Sequence, residues 1–177
     1  MKKLHVGCGK VYIPGFIHID LMDYDHIDHK RSVDDLGIFE DGSVDLIYAC
    51  HVLEHFKRVD IGKVLKEWSR VLKPGGVLRV SVPGFEELVE IYKKYDDLNL
   101  ILGPLVGGQT YLYNFHYMAF DFKSISALLK EAGFSDVKRY DWRKTEHANI
   151  DDYSQAYIPH MDKDNGMQVS LNVEAVK

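Results

Sequence analysis

An α/β fold is predicted, with a mainly parallel sheet and one reversed strand at its C-terminal end. Three observations carry this. Short apolar runs alternate with stretches of helical periodicity, the pattern of βα units. The first run, residues 4–6, ends in Gly7-Cys8-Gly9, and the second ends in Asp20, which is how nucleotide-binding α/β units begin. The last two strand-like runs, residues 137–142 and 169–176, have no helix between them, so they pair antiparallel or sit apart.

The elements follow in order. Residues 4–6 are short, apolar and stopped by glycine, hence a buried strand. Residues 16–19, closing on Asp20, form the second. Only residues 10–16 lie between them. A parallel crossover needs about a dozen residues and usually a helix. The first crossover helix is therefore expected to be shortened or missing, replaced by a loop carrying Pro14-Gly15, and another segment must cover the gap. A short edge strand is expected near residues 31–33. Glu40-Asp41-Gly42-Ser43 reads as a turn and residues 44–50 as a buried strand. Ile61, Val64, Leu65, Trp68, Val71 and Leu72 recur at three- and four-residue spacing and so share one helical face. Asp60 is the expected N-cap, and Pro74-Gly75-Gly76 ends that helix. Residues 77–82 read as a strand, 85–95 and 121–132 as amphipathic helices, with Gly133 capping the second.

A chain of 177 residues fits one domain, residues 1–177, with a single core. The net charge of −5 and the scattered basic residues argue against a nucleic-acid partner, because phosphates would go unneutralised. No segment is long and apolar enough to span a bilayer, and no signal-type apolar core follows Lys2-Lys3, so a cytoplasmic setting is expected. Cys8 and Cys50 alone make neither a disulfide framework nor a cysteine-based zinc site. Nine histidines exceed what such a chain usually carries.

The stretches HVGCGK, IHID, VDDL, EDGSVDLIYACHVLEHF, WSRVLKPGGVLRVSVP and ALLKEAGF together resemble class I S-adenosylmethionine-dependent methyltransferases, in particular the type 11 group. Residues 107–122 and 151–175 look like a bacterial subset of methyltransferases associated with glycan or cell-surface polysaccharide assembly. The resemblance implies a Rossmann-like seven-stranded sheet in the order 3-2-1-4-5-7-6, and S-adenosylmethionine as cofactor. Gly7, Cys8 and Gly9 then make the turn that lets backbone approach the methionine part of the cofactor, since a Cβ would hold it off. Asp20, followed by Leu21, takes the ribose hydroxyls. Asp34, Asp35 and Leu36 fall where the family holds adenine, an acid or backbone amide on the ring edge and an aliphatic on its face; which aspartate serves is open. His51 faces the methionine end.

Two long segments, near residues 96–120 and 143–166, are the candidate covers and acceptor or lid segments, because loops of this length are usually functional or disordered. Gln109, Tyr113, Asn114, Tyr117, Tyr153 and His160 are the expected acceptor contacts. His55 and His116 are the candidate bases, since histidine titrates near working pH. The acceptor is expected to be a small polar molecule or glycan, with a sugar hydroxyl favoured.

In His51-Val52-Leu53-Glu54-His55, the first, fourth and fifth residues share one face if a helix begins at or before His51. With His116 they make four potential ligands. This faintly resembles metal-dependent methyltransferases of the 3′-terminal ribose of small RNAs, but His51 stands where that pattern has an acid. The same VLEH segment is common in methyltransferases without metal, so no metal is expected. Two rivals remain. A dinucleotide oxidoreductase would want a third glycine where Tyr12 stands. A non-catalytic nucleotide-binding protein would need no acceptor segment.

Overall fold

The chain lays down β1 (Lys3–Val6), β2 (Ile17–Asp20), β3 (His29–Lys30) and β4 (Val44–Cys50) before its first α-helix, in a computed structural model that describes residues 1–177. Then come α1 (Ile61–Val71), β5 (Leu72–Pro83), α2 (Phe85–Tyr95), α3 (Asn99–Val106), α4 (Phe122–Glu131) and β6 (Ser135–Arg139). A short hairpin, β7 (Tyr157–Ile158) and β8 (Met167–Gln168), precedes β9 (Ser170–Val176). The main sheet runs β3-β2-β1-β4-β5-β9-β6, which is 3-2-1-4-5-7-6 when only its own strands are counted. β9 lies antiparallel to both β5 and β6, and the other pairs are parallel. The expected fold class, with its reversed last strand, is the observed one.

Strand alternation sends side chains to two faces. Leu4, Val6, Ile19, Ile47, Leu78 and Val80 join the main core together with the α1 residues Ile61, Val64, Leu65, Trp68 and Val71 and the α4 residues Ile125 and Leu129. The Trp68 indole N–H donates to the Val33 carbonyl at 2.8 Å, so this large ring is buried without a bare donor. His5, His18, Leu46 and Tyr48 occupy the alternate positions on β1, β2 and β4 and are likewise buried.

That second face is where a first crossover helix would pack, and residues 10–16 form no helix. Ile13 and Phe16 of this loop cover part of the face, and Ile150 packs against the same cluster. The His147 ring lies 4.4 Å from Tyr48 and 5.9 Å from Phe16. Asp152 accepts from the Tyr48 hydroxyl at 2.6 Å. The buried Gln155 amide donates to the carbonyls of Ala148 and Ile150, which keeps the covering segment in shape. Residues 147–152 thus do the work of the absent helix. Most of the histidine excess belongs to this layer. His5, His18 and His147 serve as aromatic packing, and burial holds all three below the ordinary imidazole range. Ile13 N–H donates to His18 Nε2 at 2.9 Å, which leaves the His18 proton on the nitrogen facing Asp28.

Several boundaries differ from the sequence expectation. The edge strand sits at His29–Lys30 rather than 31–33, because Val33 turns into the core. β5 begins at Leu72 and carries Pro74-Gly75-Gly76 within it, with a register shift opposite Asp45; Gly75 takes φ +76° there. Asp60 stands before α1 but makes no side-chain cap, and its carbonyl instead accepts from Lys63 and Val64. Asp121 does cap α4, in a reciprocal pair with Ser124. β6 ends at Arg139, and Trp142 starts a single 3-10 turn. The segment 96–120 holds the helix α3 despite Pro104, since Ile101 is buried with Leu88, Ile91 and Val169. No helix is long and apolar enough to cross a membrane.

Candidate functional site

β1 and β4 are neighbours in the sheet, and the chain passes outward from each in opposite directions. The crevice beyond their carboxyl ends is the switch point where open α/β sheets take ligands. β1 leaves its end through Gly7 (φ +64°) and Gly9 (φ +53°), a left-handed path that glycine follows without strain. Gly9 N–H donates to Asp20 Oδ2 and Met22 N–H to Asp20 Oδ1, each at 2.8 Å. The glycine bend and the carboxylate ending β2 are therefore side by side. Cys8 between the glycines is buried, and that burial pushes its thiol up to about 12, so it is no nucleophile at neutral pH.

The two glycines have different reasons to be glycine. A Cβ at Gly9 would meet no atom within 4 Å, so open space lies over it. A Cβ at Gly7 would lie 2.5 Å from Val52 Cγ2. The expected close approach of a ligand at Gly7 is thus, in part, the close approach of the protein's own valine.

Leu21 follows Asp20 and is exposed. Asp34 accepts from the Ser32 hydroxyl and lies 3.4 Å from Lys63 Nζ; these hold its carboxyl below the usual carboxylate range. Asp35 is tied to Arg31 Nη2 at 2.7 Å. Leu36 does not offer an aliphatic face: its side chain is fully buried in the core, and its amide and carbonyl are held by Glu67 and Arg70.

Beyond β4 the chain makes a tight entry to a 3-10 turn, Leu53–His55, rather than an α-helix, with His51 in the left-handed region at φ +54°. A non-glycine residue held there is uncommon, and such strain clusters at functional sites. His51 Nε2 donates to Ser170 Oγ at 2.8 Å, whose hydroxyl donates to the Tyr153 carbonyl at 2.6 Å. Its other nitrogen, Nδ1, lies 3.4 Å from Glu54 Oε1. Burial, with His116 and His55 nearby, brings the His51 imidazole down to about 3. Glu54 is fully buried, and that burial raises its carboxyl to about 8.

The segment after α3 closes on this turn. Tyr117 N–H donates to the Glu54 carbonyl at 2.7 Å. His55 Nδ1 donates to the Phe115 carbonyl at 3.1 Å and His116 Nδ1 to the Pro104 carbonyl at 2.8 Å. The two rings stand edge to face, 4.8 Å apart. Burial keeps both below the ordinary imidazole range. Each neutral ring therefore holds its proton on Nδ1 and a lone pair on Nε2.

His51, His55, His116, Tyr117 and Tyr153 are thus gathered around one turn; the Tyr153 ring lies 5.2 Å from His51. Asn114 and Gln109 instead hold their own loop. Asn114 accepts from Gly108 N–H and donates to Thr110, while the Gln109 amide donates to Val106. Tyr113 is exposed on that loop. His160 is exposed in the connection between β7 and β8, a hairpin whose Ile158 and Met167 pack against Leu88 and Ile91 of α2. Ser170 and Val52 were not readable as site residues. Ser170 reaches His51 only because β9 runs back antiparallel beside β5, a long-range placement with no local signal.

Residues 14–80 match the family model described as a methyltransferase domain. The ubiquinone/menaquinone biosynthesis C-methyltransferase UbiE of Cronobacter sakazakii is 35% identical over 111 residues, which is 58% of this chain and 43% of that protein. The chain therefore spans less than half the length of that relative. Among solved structures, a SAM-dependent methyltransferase of Thermotoga maritima superposes with a TM-score of 0.64 at 18% identity, over 99% of this chain and 82% of the other. One of Archaeoglobus fulgidus gives 0.61 at 15%, over 99% and 86%. The 1,6-didemethyltoxoflavin-N1-methyltransferase of Burkholderia thailandensis, solved with S-adenosylhomocysteine, gives 0.59 at 15%, over 99% and 70%. At such identities these likenesses speak for the fold alone. The matched stretch, the strand order and the glycine bend joined to Asp20 agree in making this chain similar to the class I S-adenosylmethionine-dependent methyltransferases, in particular their type 11 group.

Proposed function

We propose that the chain is a methyltransferase that uses S-adenosylmethionine on a small polar acceptor, with a sugar hydroxyl of a glycan or its precursor favoured. The observation that carries the reading is the 2.8 Å bond from Gly9 N–H to Asp20 at the switch point, with open space above Gly9. A carboxylate has about four lone-pair sites, and the Asp20 carboxylate uses two of them on backbone N–H groups. The other two remain for ribose hydroxyls. Asp34 or Asp35 serves the edge of the adenine, and Leu21 replaces the buried Leu36 as its apolar neighbour. Bound S-adenosylmethionine supplies a methyl group already activated on a sulfonium.

The chain's own contribution is positioning and exclusion of water. The turn bearing His51, Glu54 and His55 leads straight from β4 beside Gly7. The Nε2 atoms of His55 and His116, their Nδ1 protons held by carbonyls, are placed to accept a proton from the acceptor. Tyr117 and Tyr153 are the exposed aromatic contacts for it. A carbon acceptor is the second reading, favoured by the name of the UbiE relative. Two free cysteines fit a cytoplasmic setting.

The test is transfer of labelled methyl from S-adenosylmethionine to a panel of sugar, amine and phenolic acceptors, alongside calorimetric titration with S-adenosylhomocysteine and NAD. Label on a hydroxyl acceptor, abolished in Asp20→Ala, is the expected result. Binding without transfer to any acceptor would favour a non-catalytic role, and binding of NAD alone would overturn the family chemistry.

A further inference from the structure

We propose that Glu54, His55 and His116 form a site for one divalent cation of the Zn²⁺, Mn²⁺ or Co²⁺ kind. One donor atom from each lies within 4.8 Å of the others. Three features distinguish this group from a chance cluster. First, both histidines are already oriented: carbonyls of Phe115 and Pro104 hold their Nδ1 protons, which fixes the tautomer with Nε2 as the free donor. A histidine ligand is usually held in this way through its second nitrogen.

Second, Glu54 is 0% exposed, and neither carboxylate oxygen has a hydrogen-bond partner. A charged carboxylate buried without a counter-charge or donor is strongly disfavoured unless something neutralises it. No lysine or arginine forms an ion pair with it, and the one basic side chain within 4 Å of its carboxylate is His51.

Third, His51 offers no proton to it. The bond from His51 Nε2 to Ser170 leaves Nδ1 as a lone pair, and that lone pair faces Glu54 Oε1 at 3.4 Å. Two acceptors facing one another need either a shared proton or a cation between or beside them, and the two further imidazole donors gathered here point to the cation. Ligands held at ~2.1 Å from a tetrahedral ion stand about 3.4 Å apart, so a small closure of the three donors suffices. His51 then supports Glu54 from behind or becomes a fourth ligand.

The donor set selects the cation. Two imidazoles with one carboxylate suit Zn²⁺, Mn²⁺ or Co²⁺, whereas Mg²⁺ and Ca²⁺ want oxygen ligands throughout. Three protein donors leave positions open for water or an acceptor oxygen, and the half-buried His55 and His116 give the site a path to solvent. This departs from the metal-free site expected from the sequence. A bound cation takes the Nε2 atoms of His55 and His116 and so replaces their role as proton acceptors, while cofactor binding at Gly9 and Asp20 stands apart from it; only the cation's role toward an acceptor rests on the methyltransferase reading.

The full chain, stripped with chelator and dialysed, is titrated with CoCl₂ by visible absorption and with ZnCl₂ by calorimetry. One equivalent of Co²⁺, displaced by Zn²⁺, is expected. Glu54→Gln and His116→Ala should each weaken uptake by more than about a hundredfold, since even outer partners of ligands are worth 10–100-fold. His29→Ala, on the exposed edge strand, should leave it unchanged. Far-UV circular dichroism checks folding. Should Glu54→Gln not fold, the half-buried His116→Ala and the Zn²⁺-induced rise in melting temperature of the unaltered chain decide the matter. Absence of saturable uptake, or equal uptake in both variants, overturns the site and leaves a shared proton as the partner of Glu54. Titration of the stripped protein with S-adenosylhomocysteine separates the two readings. Its binding without metal uptake overturns the cation site alone, and metal uptake without its binding overturns the methyl-donor reading alone.

Discussion

Asp20→Asn preserves the shape of the side chain and removes one acceptor. The two carboxylate oxygens take Gly9 N–H and Met22 N–H, both at 2.8 Å. In the asparagine one of those oxygens becomes an NH₂, and a donor faces a donor. A hydrogen bond to a charged group contributes ~1.5–3 kcal/mol, and a buried donor left bare costs ~1–3 kcal/mol. Asp20 is only 9% exposed, so water makes up little of the loss. The variant should be less stable by about 2–4 kcal/mol. In a chain of this size each kcal/mol lowers the melting temperature by ~2–4 °C, so a fall of about 5–15 °C is expected. Thermal melts followed by circular dichroism measure it. The same bend is proposed to hold the adenosyl group, so calorimetry should show the affinity for S-adenosylhomocysteine reduced at least about tenfold. A variant that melts with the parent and binds as tightly would refute the link between the bend and the carboxylate.

Gly7→Ala should destabilise more than Gly9→Ala in urea unfolding. Both suffer the left-handed backbone, worth ~1–2 kcal/mol, but only Gly7→Ala drives a Cβ into Val52. Adding Val52→Ala to Gly7→Ala should narrow the difference between them. Tyr48→Phe removes the 2.6 Å bond to Asp152 and should cost about 1–2 kcal/mol. Limited proteolysis within residues 143–156 should then speed up by several-fold to about tenfold; unchanged cleavage would mean that Asp152 does not fasten the cover. His5→Gln tests the buried histidine layer. The unfolded chain protonates His5 near 6.5 while burial, with His18, His147 and His26 facing it, keeps the folded value well below that. The unfolded state therefore gains protons first, and stability falls as pH drops through about 6.5. Between about pH 7.5 and 5.5 the variant should lose about 1.4 kcal/mol less than the parent, read from urea midpoints.

Much of the fold was legible because its signals are local. Alternation and glycine stops marked β1, β2 and β4, and the spacing of Ile61, Val64, Leu65 and Trp68 marked α1 and its buried face. The absence of the first crossover helix followed from chain length alone. What stayed hidden depends on partners remote in sequence. α3 was obscured by Gly103 and Pro104, which weaken helical propensity, whereas burial of Ile101 against α2 sustains it. In the site, Asp20 and the glycine bend were readable from spacing, but the filling of Gly7 by Val52 was not. Leu36 matched an adenine-binding pattern by position, yet its side chain packs inward, since one residue in a polar loop says nothing about which way it turns. Asn114 and Gln109 had the chemistry of acceptor contacts, but they spend it on the turn between Val106 and Asn114.

The stand-in for the first crossover helix has a consequence for synthesis. Residues 147–152 emerge from the ribosome long after the strands they shield. Until then the nascent protein carries an uncovered patch of Leu46, Tyr48 and His5, and contacts so far apart in the chain are slow to form. Truncation after Arg139 would leave Gly7, Gly9 and Asp20 in place while baring the underside of the strands that hold them. The tail thereby governs how firmly the amino-terminal strands and the glycine bend are held, and unfinished chains are the ones that would need chaperone protection.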